Sequence, residues 1–310
     1  VDERSLMRRK ATLNPNEVAA ASDTSDVRGL TRAAPLSRRG FMGSSAALAA
    51  GYTIAGGPVR AEAIRTDADG LVAGMTTIKT GDGAMPAYFA RPAGVDRPPI
   101  ILVAMEVFGL HEHIKDVTRR LAKLGALALA PDLYFRKGDL TKIESISDLM
   151  PLVNSKPDAE LFSDLDASAA YAIAQGGDGE RLGIIGFCRG GRTVWLYATH
   201  NPALKAGVSF YGSLMDPPSA AMPQNAFALA GQVQAPVLGL YGAEDQGIPP
   251  DQVRQMEEKL KTAGKIAEFE IYEGAPHGFF ADYRASYRKE QAEDAWKHAI
   301  AWFRTYRVLA

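Results

Sequence analysis

Four polar residues stand directly behind apolar, strand-like runs: Glu106 behind ILVAM, Cys188 behind LGIIGF, Asp245 in VLGLYGAED, and His277 behind FEIYEGAP. A thiol, a carboxylate and an imidazole in that chain order are the parts of an activated nucleophile: the imidazole takes the proton and the carboxylate orients the imidazole. Cys188 is the only cysteine among 310 residues and lies in GIIGFCRGGR, Gly183 to Arg192. The GxCxG spacing, Gly186 to Gly190, is that of a sharp strand-to-helix turn that lifts a nucleophile out of its strand. Glycines are needed there because side chains would collide with the neighbouring strand and helix. The following helix would aim its N-terminus at the sulfur and favour a thiolate, with the Arg189 amide ready for an oxyanion. The competing reading of Cys188 is a small buried gap-filler; Asp245 could equally cap a turn, and a lone histidine is often structural.

Those residues need a scaffold that brings strand ends together. PPIILVAMEVFG and ALALAPDLY are continuous apolar runs of the kind a strand buried on both faces requires. Between them, HIKDVTRRLAKLG places Ile114, Val117, Leu121 and Leu124 at helical spacing and stops at Gly125. Residues 158–175 repeat the helical pattern with Leu161, Leu165, Ala169 and Ile173 on one face, and RLGIIGF follows as a strand. GRTVWLYATHN and PDQVRQMEEKLKTAG read as helices, ALKAGVSFYG, APVLGLYGAED and AEFEIYEGA as strands, and a last helix carries Trp296, Ala299, Ile300 and Phe303. Ahead of these, LVAGMTTIKT and AMPAYFARPA flank GDG and predict an antiparallel hairpin at the sheet edge. The whole predicts an α/β fold: a mostly parallel twisted sheet flanked by helices on both faces. The stretch between Tyr134 and Asp158 mixes charge, a short amphipathic piece and a proline, as part of a substrate lid can.

The first 35 residues are polar and without periodicity. They lead into Arg38-Arg39, Phe41, a mildly apolar stretch from Gly43 to Gly57, and Ala61-Glu62-Ala63. This is the layout of a twin-arginine export signal with its cleavage site, so the twin-arginine machinery is an expected partner and the periplasm or exterior the expected location. At about 15 residues the apolar stretch is too short for a stable membrane span. The expected division is an extension and signal at 1–63 and a catalytic domain at 64–310. A formal charge of −1 with 46% hydrophobic and 23% charged residues gives no reason to expect a nucleic acid partner. A monomer or small homo-oligomer is expected.

Taken with their order, the segments MEVFGLHEHIKDVTRRLAKLGALALAPDLY, GIIGFCRGG, SFYG, GAEDQGIP and APHGF resemble the dienelactone hydrolase family of α/β-hydrolases, over nearly all of Leu71 to Arg307. The resemblance implies an α/β-hydrolase fold and cleavage of a small carboxylic ester or lactone. It implies a Cys188-Asp245-His277 triad, with Glu106 contacting the cysteine and the amides of Val107 and Arg189 holding the oxyanion. It also implies Arg136 and Tyr211 as substrate-binding residues. The family's second arginine position, four residues past the histidine, holds Ala281 here; Arg284 is near it but not a motif match. No cofactor or metal is implied. His111 and His113 in LHEH lack further ligands in sequence and read as a solvated loop or helix start.

Two readings compete with the hydrolase. One is a catalytically silent extracytoplasmic binding protein that captures a small ligand in the same pocket. The other is a redox thiol, which lacks a second cysteine as resolving partner.

Overall fold

Why the chemistry-bearing residues fall at strand ends follows from the sheet. In the computed structural model, which describes residues 63–310, eight strands run in the order β1-β2-β4-β3-β5-β6-β7-β8. The Arg38-Arg39 motif, its apolar stretch and all of the cleavage-site sequence except Ala63 lie outside the described residues.

The hairpin of β1 (Leu71–Lys79) and β2 (Ala84–Pro92) forms the antiparallel edge. Its turn is closed by the Thr80 amide donating to the Gly83 carbonyl at 2.9 Å and the Thr80 hydroxyl donating to Asp82 at 3.1 Å. β2 also pairs antiparallel with β4 (Leu127–Pro131). From β4 onward, β3 (Pro99–Ala104), β5 (Asp178–Phe187), β6 (Leu204–Phe210), β7 (Val237–Gly242) and β8 (Ala267–Tyr272) are mutually parallel. Every residue of β3, β4 and β7 is buried, as their unbroken apolar runs demand. This is the α/β-hydrolase fold, with the mostly parallel sheet and antiparallel N-terminal edge that the sequence predicts.

Consecutive connections from β3 go first to β4 on one side and then back across to β5 on the other. The order therefore reverses at β3/β5, and the crevice beyond the carboxyl ends of these two strands is where α/β sheets bind ligands. Glu106 and Cys188 stand at those two ends.

The described helices are α1 (Glu112–Lys123), α2 (Ile146–Asn154), α3 (Asp158–Ala174), α4 (Arg189–His200), α5 (Ala226–Leu229), α6 (Pro250–Thr262) and α7 (Lys289–Thr305). On α1, Ile114, Val117 and Leu121 are fully buried, whereas Leu124 falls beyond the helix at its cap and is exposed. On α3, Leu161, Leu165 and Ala169 are buried but Ile173 is half exposed. The expected fourth core position is displaced because Ile173 packs over the backbone of Gly179 at the start of β5. The stretch from Tyr134 to Asp158 contains two short 3-10 turns and α2. Among the described residues no helix is long and apolar enough to cross a membrane.

Candidate active site

The turn between β5 and α4 carries Cys188 at φ 56°, ψ −114°. A positive φ costs a non-glycine residue of order 1–3 kcal/mol, and such strain clusters where a side chain must be presented in one direction. Two close approaches make the turn possible. A Cβ on Gly186 would lie 2.1 Å from the Gly190 carbonyl oxygen, and one on Gly190 would lie 2.0 Å from the Ala104 carbonyl oxygen. The GxCxG spacing is thus a packing requirement between β5, α4 and the end of β3. The Cys188 amide donates to the Phe210 carbonyl at 3.0 Å, fixing the turn to β6.

His277 reaches the same point from the loop after β8. Its Nδ1 lies 2.7 Å from Asp245 Oδ2, and Cys188 is within electrostatic reach of the same imidazole. Asp245 is buried beyond β7, and its other oxygen accepts the amides of Gly247 (2.9 Å) and Ile248 (3.1 Å). The carboxylate is therefore oriented before it meets the imidazole. Burial opposes a charge on His277, but Asp245 and then Cys188 outweigh it and hold the imidazole well above its ordinary value. A shift in that direction favours the protonated imidazole, the form that can deliver a proton to a leaving oxygen.

Glu106 is 2% exposed, and its hydrogen-bond partners are Tyr283 and His111. Tyr283 Oη donates to Glu106 Oε2 at 2.7 Å, and His111 Nε2 lies 3.3 Å from the same oxygen. Although burial works against its charge, His111, Arg284 and His113 hold the carboxyl down at about 2. His111 does stand at the start of α1, as expected, but LHEH is not a solvated stretch: His113 is buried and its Nδ1 meets Asp282 at 3.0 Å.

Tyr211 is fully buried at φ 39° after β6, its ring edge-on to His277 at 5.1 Å. Burial, then the charges of Glu106 and Cys188, push its hydroxyl well above the ordinary tyrosine value. The structure does not bring Arg136 to this group. It sits on a 3-10 turn, and its guanidinium meets Asp82 at 2.6 Å, Asp164 at 2.8 Å and Glu160 at 3.3 Å. Three protein carboxylates already neutralise it, so the expected substrate contact is corrected to a structural ion-pair role.

Several site residues carried no signal in the sequence. Arg284 lies between Phe108 and Tyr283, its guanidinium carbon 4.0 Å and 4.5 Å from their ring centres. Tyr134 is buried within electrostatic reach of Arg189, Arg192 and Cys188, and burial pushes its hydroxyl up to about 12. Arg189 and Arg192, in the first turn of α4, fasten the surrounding loops. Arg192 grips Asp158 with two donors at 2.8 and 3.1 Å and meets Asp216 at 3.0 Å, while Arg189 donates to Asn154 and to the Met222 sulfur. Only the RGGR spacing hinted that these arginines share a helix face.

Val107 follows Glu106 directly and is buried, and Arg189 opens α4, where first-turn amides have no acceptor within the helix. Among the described residues no group of three or more histidine, cysteine, aspartate or glutamate side chains could hold a metal ion.

Comparison with known proteins adds the family. The dienelactone hydrolase family model matches residues 85–307. A protein of Methylorubrum extorquens named "Putative carboxymethylenebutenolidase" is 52% identical over 286 residues, covering 91% of this chain and 98% of its own length. A Bradyrhizobium protein named "Probable 2-oxo-3-(5-oxofuran-2-ylidene)propanoate lactonase" is 32% identical over 222 residues, 70% of this chain and 88% of its own. The crystal structure of a "Putative Dienelactone Hydrolase" from Klebsiella pneumoniae subsp. pneumoniae MGH 78578 superposes with a TM-score of 0.75 at 49% identity, covering 76% of this chain and 99% of that one. The chain belongs to the dienelactone hydrolase family and is a carboxylic-ester hydrolase.

Proposed function

We propose that the protein hydrolyses a small carboxylic ester or lactone through a thioester on Cys188. The observation that carries this reading is the strained cysteine turn with the hydrogen-bonded His277–Asp245 pair within electrostatic reach of it. Cys188 passes its proton to His277 and its Sγ attacks the carbonyl carbon as thiolate, and the backbone amides of Val107 and Arg189 hold the resulting oxyanion. His277 protonates the departing alkoxide as the C–O bond breaks, leaving the acyl group on sulfur. It then takes a proton from water, whose oxygen attacks the thioester; Cys188 leaves, and the acid and free enzyme result. Asp245 keeps the imidazole in the productive tautomer. A lactone is opened by the same steps, with alcohol and acid remaining in one molecule. The names of the curated relatives support a lactone as substrate, and the edge-on contact of the Tyr211 ring with His277 supports a place for it beside the acyl group.

Because one cysteine serves the whole chain, alkylation is a direct test. Turnover of a panel of aryl esters and lactones is expected to disappear in proportion to iodoacetamide incorporated, reaching background at one adduct per chain. Undiminished turnover at full modification excludes the covalent role, and ligand-induced thermal stabilisation without turnover of any ester supports the silent binding protein.

We also propose export by the twin-arginine route, supported by Arg38-Arg39 and the Ala61-Glu62-Ala63 sequence. N-terminal sequencing of protein recovered from the periplasm is expected to begin at Ile64, and Arg38→Lys with Arg39→Lys to keep the chain in the cytoplasm. Unchanged export of that double variant counts against the signal.

A further inference from the structure

The carboxylate of Glu106 sits in a crowd. From the start of α1 it faces His111 and His113, and from the loop after His277 it faces Tyr283 and Arg284. Tyr211, after β6, lies within electrostatic reach of Glu106, Cys188, Tyr283 and Arg284 together. A bare, ionised carboxylate among these groups would act on the nucleophile in one direction. Glu106 and Cys188 stand two residues beyond Ala104 and Gly186, which pair across β3 and β5, and a negative charge at that strand end disfavours a thiolate at its neighbour. What neutralises Glu106 therefore bears on whether Cys188 is ready to attack.

We propose that Tyr283 is a positioning residue for the nucleophile: with His111 it holds the Glu106 carboxylate by one oxygen, directing that charge onto two donors and leaving the Cys188 thiol to His277. Three observations carry this. The contact is short, 2.7 Å from Tyr283 Oη to Glu106 Oε2, with His111 Nε2 3.3 Å from the same oxygen and 3.5 Å from the tyrosine hydroxyl. Hydroxyl-to-carboxylate bonds of this kind are about twice as strong as neutral ones. The tyrosine cannot drift, because its ring lies 5.0 Å from that of His111 and 5.1 Å from that of His113, with the Arg284 guanidinium over its face. His113 is in turn fixed by Asp282, which Arg120 grips at 2.6 Å. A buried frame of two histidines, an aspartate and two arginines thus serves to place one hydroxyl.

This inference rests on the reading of Cys188 as nucleophile, and its test separates the two. The rate of iodoacetamide alkylation of Cys188 is measured against pH in the full chain, with kcat for one aryl ester alongside. Tyr283→Phe removes the hydroxyl and keeps the ring. It is expected to move the alkylation midpoint up by about one pH unit and to slow alkylation at pH 7 by about tenfold, because the less-neutralised carboxylate disfavours the thiolate. In the Glu106→Gln background the same substitution is expected to leave the midpoint where Glu106→Gln alone puts it. A midpoint in Tyr283→Phe that coincides with the wild-type value overturns the proposal, as does an equal displacement in the Glu106→Gln background. If Tyr283→Phe does not fold by circular dichroism, His111→Gln weakens the second donor and must move the midpoint in the same direction; no movement there also overturns it. Were Cys188 not the nucleophile, wild-type alkylation would leave turnover unchanged, whatever the midpoints do.

Discussion

Cys188→Ala is expected to reduce ester turnover to background, a loss of about 10⁴-fold or more, while the protein stays folded. The magnitude follows from what is removed. The Val107 and Arg189 amides proposed to hold the oxyanion survive the substitution, so a small residual acceleration over water is expected to remain, but no covalent intermediate forms. Stability changes little because one sulfur atom is lost from a side chain that is 3% exposed, a cost of about 1 kcal/mol. The strained backbone supplies a second readout. At φ 56° alanine suffers much as cysteine does, whereas glycine does not. Cys188→Gly should therefore melt at or above Cys188→Ala despite having the smaller side chain, and both should be inactive. Turnover retained in Cys188→Ala refutes the thioester route, and a clearly lower melting temperature for the glycine variant refutes the strain.

Gly190→Ala is expected to have the opposite profile, in which the fold fails before the chemistry can be assayed. The added Cβ would lie 2.0 Å from the Ala104 carbonyl oxygen and 2.6 Å from its carbon, both backbone atoms at the end of β3. No rotamer change relieves such an overlap, so α4 must lift away from β3 and take Cys188 with it. Overpacking of this kind costs about 3 kcal/mol or more, which lowers the melting temperature of a chain this size by about 10 °C or leaves it insoluble. Gly231→Ala is the matched control, since a Cβ there meets nothing within 4 Å. Near-native melting of Gly190→Ala would show that the strand and helix have more freedom than their packing implies.

These two glycine-framed effects were legible in the sequence because they are local. A fully buried parallel strand must be apolar throughout, and a turn that brings helix against strand must shed side chains at set offsets. The order Cys188, Asp245, His277 then places three functional groups beyond the carboxyl ends of β5, β7 and β8. What could not be read was the support built across long chain separations. Tyr283 and Glu106 are 177 positions apart, and His113 and Asp282 are 169 apart. No periodicity links them, because each comes from a loop or helix start whose path is set by tertiary packing. Arg136 failed for the complementary reason: an arginine in a motif-like place says nothing of the carboxylates that the fold brings to it, here Asp82 from the hairpin turn and Asp164 from α3. Ile173 kept the helical period but ran past the core, since period identifies a face and not how far the core extends beneath it.

The arginines in the first turn of α4 have an evolutionary consequence. Asn154, Asp158 and Asp216 are moored by Arg189 and Arg192 to the same helical turn that follows Cys188. The loops packed on α4 are thereby divided into anchorage and free span. Sequence drift at these moorings, or at Met222, disturbs the Cys188 turn itself, whereas drift over residues 137–153 and 217–221 changes the loops and leaves that turn in register. New substrate preferences in this lineage should accumulate in those spans, changing what is admitted without changing how it is cleaved.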